Sequence, residues 1–342
     1  MRPAAQSPLE PRRSGATGRI VRAIGGIAIS VGALAFVITT VDLAATSQAL
    51  ARADLRWIVL LGFFIVLDVA VRTVRWRLLL VPVADIHIRD SLAALLVGYL
   101  ANNVLPARLG ELVRCQVLGE RTGVSRSTIL GTVVVERIVD TAVVVAIAGL
   151  AIIVLSVRGI VASAVLVGLA VTGLLVVGVV AAMAAHRLPG AEHAAARLAE
   201  RPQLARILSK LRAGLAVAGR PRTMAQTVTL SVVGWSCTVL AFAAAAQAVG
   251  IQPTMGQAAM LAAGTNLATA IPAGPGYIGT FELAAVTIAT SVGLPAGPAL
   301  AFALIVHVAT ILLTSAGGAV ALVVGSSRTG EAGGRVGQAR IR

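Results

Sequence analysis

The sequence is poor in charged and in aromatic residues. Of its 342 residues, 13% are Asp, Glu, Lys or Arg and 3% are Phe, Trp or Tyr, whereas 57% are hydrophobic. A soluble domain carries about 25% charged residues, so an ordinary soluble protein is excluded, and the hydrophobicity also excludes a disordered chain. Because aromatic residues are scarce and the apolar runs are longer than barrel strands, we predict transmembrane helices instead of an outer-membrane barrel.

Recognisable catalytic and metal-binding motifs are also missing. The two cysteines, Cys115 and Cys237, have no CxxC spacing and are too few for a disulfide framework. The sequence contains no GxSxG, no HExxH and no Walker loop. We therefore expect no cofactor and no metal, and we favour a non-enzymatic role over an enzymatic one.

Six apolar runs are long enough to cross a membrane, and two shorter runs are interrupted by proline and glycine. The six runs are 24–41, 57–74, 127–155, 160–184, 223–249 and 298–324, and the two interrupted runs are about 91–119 and 255–292. Of the 29 Lys and Arg residues, 25 lie in the head, in 72–126, in 186–222 or in the tail. The positive-inside rule then places both termini in the cytoplasm. It also accounts for the net charge of +15 without a nucleic-acid partner.

The two interrupted runs must enter and leave the membrane on the same side if six crossings join these loops. We predict that they are re-entrant hairpins that open on opposite sides. Gly98 and Gly264 are 166 residues apart, as are Pro106 and Pro272. The predicted fold is therefore all-α: a polytopic membrane protein with six full transmembrane helices and two re-entrant helical hairpins in an inverted repeat.

The chain is predicted to contain one folded domain. Residues 1–19 are expected to form a disordered basic cytoplasmic head, and residues 326–342 a disordered basic tail. Residues 20–325 are expected to form the transmembrane domain, with a cytoplasmic loop at 186–222. The whole is predicted to lie in the inner, cytoplasmic membrane with several crossings.

The first candidate motif is NNVLPARLGELVR at residues 102–114. Pro106 breaks the helix, and Asn102 and Asn103 can cap the groups that the break exposes. Arg108, Glu111 and Arg114 share a helical face, on which the two arginines can bind an anionic head group. Alternatively, the three are interfacial loop residues that pair with one another.

The second candidate motif is ERIVD, residues 136–140, within a predicted span. Glu136, Arg137 and Asp140 lie on roughly one side of the helix. Charges inside a span are costly and mark functional candidates, and two carboxylates with one arginine suit proton coupling. The alternative is a structural salt bridge that locks the helix to a hairpin.

The third candidate motif is IPAGPGYIGTFE, residues 271–282. Gly274, Gly276 and Gly279 allow backbone N–H groups to point at a ligand. Glu282 is the only charged residue between 223 and 327, and it is a candidate for proton coupling or cation binding. The alternative is that Glu282 caps the following helix.

Three further sets of polar residues receive structural interpretations. Asp68 is expected to pair with Arg72, four residues later on the same helix. His307, in the middle of the last span, is expected to be a satisfied core histidine. The arginines at 72, 75 and 77 and Trp76 are interpreted as an anchor at the membrane interface.

The three motifs together resemble the flippase-like transmembrane domain of the lysylphosphatidylglycerol synthase family. The matching patterns are NxxPxRxGExxR at 103–114, ERxxD at 136–140 and PxGxGxxGxFE at 272–282. In that family this domain moves aminoacylated phospholipid between leaflets through a cavity framed by two re-entrant hairpins. The resemblance implies site residues Asn103, Pro106, Arg108, Glu111, Arg114, Glu136, Arg137, Asp140, Pro272, Gly276 and Glu282. The larger synthases carry a soluble aminoacyl transferase domain after the membrane region; because only a short tail follows residue 324, we expect that this chain does not make lysylphosphatidylglycerol by itself.

We therefore predict a flippase that moves an anionic lipid or lipid-linked head group between leaflets. The predicted partners are membrane lipids, with a homo-oligomer or a membrane-protein partner left open. Two alternatives stay open: an accessory subunit or enzyme that acts on lipid-linked intermediates, and a scaffold that binds another membrane protein.

Overall fold

All regular secondary structure in the described part of the chain is helical. The computed structural model describes residues 14–105, 109–159, 202–269 and 273–339, together with a few residues between 162 and 174. Within these residues no strand is present, so the predicted all-α class is confirmed. The helices are α1 Ser14–Thr40, α2 Leu43–Ala51, α3 Leu55–Leu80, α4 Ile88–Val104, α5 Gly110–Thr122, α6 Arg126–Leu155, α7 Pro202–Leu215, α8 Pro221–Ala248, α9 Met255–Ala268, α10 Thr280–Ser291 and α11 Ala296–Ala339, with 3₁₀ turns at Ala216–Gly219 and Pro275–Tyr277.

Four described helices are long and apolar enough to cross a membrane. They are α3, α6, α8 and the Ala296–Val324 part of α11, and each contains one of the predicted spans. The Gly25–Thr40 part of α1 and α2 meet at 90° and give a fifth crossing if they form one bent span. The bend lies at Asp42, whose carboxylate accepts hydrogen bonds from the N–H groups of Ala44 and Ala45 and so starts a new helix. The predicted run 160–184 falls almost entirely outside the described residues.

The two interrupted runs each fold into a pair of packed helices. In the first pair, α4 and α5 cross at Gly98 and Gly110, where a Cβ on Gly110 would overlap the carbonyl oxygen of Gly98. The Asn102 side chain accepts a hydrogen bond of 2.8 Å from the Gly110 N–H, which is the capping role expected of it. In the second pair, α9 and α10 pack where a Cβ on Gly264 would lie 2.8 Å from Cδ1 of Ile288. Glycine is needed at the first crossing because the backbones approach closely there, whereas at the second crossing the nearest atoms belong to the Ile288 side chain.

The packing of the helices follows a reciprocal pattern. The first helix of each pair packs against the long helix that follows the other pair, so α4 contacts α11 and α9 contacts α6. The second helix of each pair contacts the long helix that follows it, α5 with α6 and α10 with α11. The helices that precede the pairs, α3 and α8, have the most extensive contact with each other.

The outside of the bundle is apolar, while ionisable groups lie inside it. Ile153 is 76% exposed and Val154 is 65% exposed, although both are large hydrophobic residues. Arg75, Arg114 and Glu136 are each no more than 2% exposed. This reversal of the soluble pattern is what hydrocarbon solvent favours, since lipid does not penalise exposed apolar groups and charges must find partners inside the protein.

Candidate functional site

The interpretation of Arg75 and Trp76 as an interfacial anchor is wrong. Arg75 is 1% exposed and Trp76 is fully buried. The Arg75 guanidinium donates to Oε1 of Glu136 at 2.7 Å, to both carboxylate oxygens of Asp140 and to the Ser231 hydroxyl at 2.7 Å. Arg75 is therefore the centre of the buried polar interior.

Arg75 belongs to a chain of buried ion pairs, which we call the ion-pair network. Its members, in order of contact, are Asp68, Arg72, Asp140, Arg75, Glu136 and Arg114. Arg72 bonds Asp68 at 2.7 Å and Asp140 at 3.1 Å, and Arg114 bonds Glu136 at 2.8 Å. The expected pairing of Asp68 with Arg72 is confirmed. Three arginines balance three carboxylates, so the network is formally neutral.

Two tryptophans cover the network with aromatic faces. The Arg114 guanidinium lies over the Trp76 ring at 4.7 Å from its centroid. Arg72 lies over the Trp235 ring at 5.5 Å, and the Trp235 indole donates to Asp140 at 3.3 Å. These contacts hold α3, α5, α6 and α8 together and add cation–π attraction in a site shielded from water.

The Glu136–Arg114 bond is the salt bridge that joins a span to a hairpin. It links α6 to α5, which is the structural alternative raised for the ERIVD motif. Glu136 has bonds to two arginines and is 1% exposed. Its position suits holding the helices together, because buried pairing of this kind leaves no free oxygen edge toward solvent.

Arg137 and Glu111 form a separate and looser pair. Nε of Arg137 lies 3.9 Å from Oε1 of Glu111, and the two side chains are 41% and 25% exposed. This distance exceeds hydrogen-bonding range. Among the described arginines that line the cavity or belong to the ion-pair network, Arg137 is thus the least constrained.

The second hairpin forms a different polar cluster around His307. The His307 Nδ1 lies 2.6 Å from Oε1 of Glu282, and its Nε2 lies 2.6 Å from the Gly276 carbonyl oxygen. The other Glu282 oxygen accepts a 2.6 Å hydrogen bond from the Gly279 N–H at the start of α10. Glu282 therefore has the capping role considered for it, and His307 is satisfied as expected. The Phe281 ring stacks on the imidazole at 4.4 Å between centroids.

The glycines of the second hairpin serve the backbone of the protein itself. The Gly274 N–H donates to the Ser30 hydroxyl at 2.9 Å, and the Gly279 N–H is used by Glu282. Gly276 and Gly279 have positive φ angles of 64° and 88°, which glycine adopts without strain. The N–H groups of Gly274 and Gly279 are thus already occupied, whereas Gly276, itself buried, borders an open space.

That space is a cavity of about 420 Å³ between the hairpins and the long helices, which we call the central cavity. Its charged lining is Asp68, Arg72, Arg137 and Asp140. Its other polar lining includes Tyr99, Asn102, Asn103, Thr141, Thr238, Asn266, Thr269, Tyr277, His307, Thr310 and Thr314. Apolar side chains such as Phe64, Phe242 and Ile311 complete the wall. One cavity thus contains a polar surface and an apolar one, which is the combination that an amphiphilic ligand needs.

One known protein family matches most of the chain. The family model described as the lysylphosphatidylglycerol synthase TM region matches residues 23–318. The chain belongs to this family. The expected resemblance is therefore confirmed, and so is its consequence that the protein is a membrane protein related to lipid modification or flipping. The searches found no similar curated protein and no similar solved structure.

For this member of the lysylphosphatidylglycerol synthase TM family, the expected site residues fall into three groups. Asn103, Arg137, Asp140 and Gly276 line the central cavity. Arg114, Glu136 and Glu282 are buried and do not line the cavity. Glu111 does not line it either, but lies 3.9 Å from Arg137, which does. Pro106, Arg108 and Pro272 lie outside the described residues. Asn103 donates to the hydroxyls of Thr314 and Ser315 and so fixes α4 to α11.

Sequence reasoning missed Arg75, Trp235 and the cavity-facing role of His307. A signal for Arg75 was present, because Asp68, Arg72 and Arg75 lie at i, i+4 and i+7, on one face of α3. That spacing pointed to a charged helix face directed into a bundle. No comparable pattern marked Trp235, whose contact with Asp140 depends on how α8 packs.

Proposed function

We propose that this protein moves a lipid head group between the leaflets through the central cavity. The supporting observation is a cavity with a charged wall on α3 and α6 and an apolar wall, bounded by both broken helix pairs. The head group lies against the polar wall, and the acyl chains stay in the apolar surroundings. Moving a charged group through bare hydrocarbon costs several kcal/mol or more, and the polar wall lowers that barrier.

Arg137 is the residue that binds the phosphate in this proposal. It lines the cavity, its Nε lies 3.9 Å from the nearest carboxylate oxygen, and its side chain is 41% exposed. Arg75 and Arg114 are fully buried in the ion-pair network and do not reach the cavity. Asp140 lies beside Arg137 in the wall, where its two arginine partners hold it in place.

The membrane arrangement in this proposal is an inverted repeat with six crossings and both termini in the cytoplasm. The reciprocal packing of α4 with α11 and of α9 with α6 supports a repeat of two related halves. The same spacing of 166 residues relates Gly98 and Gly264, and each lies where two hairpin helices cross. In this arrangement α4 with α5 and α9 with α10 are the re-entrant hairpins, and the cytoplasmic membrane is the site of action.

Replacement of Arg137 by Gln is expected to reduce lipid movement. In proteoliposomes that contain a fluorescent anionic phospholipid, the rate at which label becomes protected from an external quencher should fall roughly tenfold to a hundredfold, because one charged hydrogen bond to phosphate contributes about 1.5–3 kcal/mol. Arg126→Gln is the matched control, since Arg126 is 60% exposed and pairs with Glu120 away from the cavity.

Equal rates for the wild type and Arg137→Gln would overturn the assignment of Arg137. No movement in the wild type, combined with lipid binding that depends on Arg137, would favour the accessory-subunit alternative over a flippase.

A further inference from the structure

The hydrogen bond between His307 and Glu282 requires a proton that the two side chains share. The Gly276 carbonyl can only accept a hydrogen bond, so His307 Nε2 carries a hydrogen. The remaining 2.6 Å contact joins Nδ1 of His307 to Oε1 of Glu282. It requires one more proton, which lies either on the nitrogen or on the oxygen. In both forms the pair is neutral overall.

Loss of that proton is incompatible with keeping both contacts of His307. Neutral His307 has one ring N–H for two oxygens, so a nitrogen lone pair would face either the Glu282 carboxylate or the Gly276 carbonyl, and the pair would carry a charge of −1. His307 is 8% exposed and Glu282 is 3% exposed, so solvent does little to screen this repulsion. One of these two contacts would break after the proton leaves to an acceptor in the cavity.

Loss of either contact would act directly on the turn that precedes α10. Glu282 accepts a hydrogen bond from the Gly279 N–H, and His307 contacts the Gly276 carbonyl oxygen through Nε2. Both ends of the turn therefore depend on this pair. Tyr277, between them, has a φ of 58°, which is strained for a residue other than glycine. A strained turn has a lower-energy backbone available once its restraints are released. Tyr277 and Gly276 line the central cavity, so the change would reach the ligand.

We propose that His307 and Glu282 form a proton-binding site in the wall of the central cavity, whose occupancy sets the conformation of the Pro275–Gly279 turn. With the proton bound, the turn is held as observed. Without the proton, the turn opens. If the protein moves lipid as proposed above, this site makes the movement respond to a proton gradient, but proton binding by the turn does not depend on that function.

Other titratable groups around His307 are already paired or cannot replace this pair. Those that share the cavity are Asp68 and Arg72 on α3, Tyr99 on α4, Arg137 and Asp140 on α6, and Tyr277 in the turn. The acidic and basic members of this set have partners of opposite charge. The parts of α2 and α8 that pack near α11 contribute no ionisable side chain to the cavity.

Glu282→Gln is the decisive substitution. The Gln amide donates to Nδ1 of His307 and its carbonyl accepts from the Gly279 N–H, so each hydrogen bond of the proton-bound state is kept without a removable proton. To report on the turn, Tyr277→Cys is made in a chain with Cys115→Ala and Cys237→Ala, and its maleimide labelling rate is measured with Glu or Gln at 282. The ratio of the two rates cancels the ionisation of the shared thiol.

The expected result is a ratio that changes roughly tenfold as the pH is raised over the range in which the protein stays folded. A constant ratio overturns the proposal. His307→Gln gives the same comparison if Glu282→Gln does not fold, because its amide donates to the carboxylate without taking up the proton. Glu120→Gln, which removes an exposed carboxylate that is 56% accessible, should leave the pH response unchanged.

The lipid assay separates this proposal from the proposed function. A pH-dependent ratio without lipid movement supports the proton site and contradicts the flippase. A constant ratio, together with lipid movement that responds equally to a pH gradient in the wild type and in Glu282→Gln, overturns the proton site and retains the flippase.

Discussion

Replacement of Arg75 by Ala is expected to destabilise the folded protein by about 3–5 kcal/mol, the typical result of removing one partner from a buried charge pair. Arg75 is 1% exposed and donates to Glu136, Asp140 and Ser231. Without it, the ion-pair network has two arginines for three carboxylates. The remaining negative charge is buried and cannot be solvated. Thermal or denaturant unfolding in detergent would measure the loss.

A double-mutant cycle with Glu136 tests whether the charge imbalance is the cause. Glu136→Gln alone leaves an excess positive charge, whereas Glu136→Gln together with Arg75→Ala restores neutrality. The double mutant should be more stable than the sum of the single losses predicts, by about 1–3 kcal/mol. Arg126→Ala is the control, because its exposed pair with Glu120 should contribute less than about 1 kcal/mol. A loss for Arg75→Ala no larger than that of Arg126→Ala would contradict the central position of Arg75.

Replacement of Gly110 by Ala is expected to prevent the first hairpin from closing. A Cβ there would overlap the Gly98 carbonyl oxygen and lie 2.6 Å from the Asn102 side chain that caps Gly110. Since the Gly98 carbonyl oxygen belongs to the backbone of α4 and cannot move aside, the helices must separate, at a cost of about 3 kcal/mol or more. Movement of α5 would also shift Arg114 away from Glu136. The unfolding temperature and lipid binding should fall together.

Gly149→Ala is the matched control for this substitution. Gly149 lies inside α6, and a Cβ added to it meets no atom of the described residues within 4 Å. Because Ala has a higher helix propensity than Gly by about 1 kcal/mol, Gly149→Ala should leave stability unchanged or raise it. If Gly110→Ala and Gly149→Ala had the same effect, the close crossing of α4 and α5 would not be required.

The features that the sequence predicts correctly are those set by interactions between residues close together in the chain. Helix type, four of the spans and the two broken runs follow from hydrophobic length and from proline and glycine positions, which act over a few residues. The same holds for the Asn102 cap, the Asp68–Arg72 pair and the Glu282 cap, each within eight residues along the chain. Six crossings, the inverted repeat and the orientation stay predictions, as do the domain limits and the lipid partners.

The assignment of arginines to cytoplasmic loops shows a limit of reasoning from neighbouring residues. Arg72, Arg75 and Arg114 were counted among the residues of a cytoplasmic loop, yet they are buried in the ion-pair network. An arginine near the end of an apolar run can anchor at an interface or turn inward to a carboxylate. The choice depends on whether another helix presents that carboxylate, which the residues next to the arginine in the sequence do not show.

The sequence by itself determined that this is a helical membrane protein of the lysylphosphatidylglycerol synthase TM family, because apolar run length and three spaced motifs are properties of the chain. Only the tertiary structure decided how its charges are used. Arg75 meets Glu136 across 61 residues, Trp235 meets Asp140 across 95, and His307 meets Gly276 across 31. Such contacts arise when helices pack, since a buried charge must find its partner wherever the fold brings one within reach.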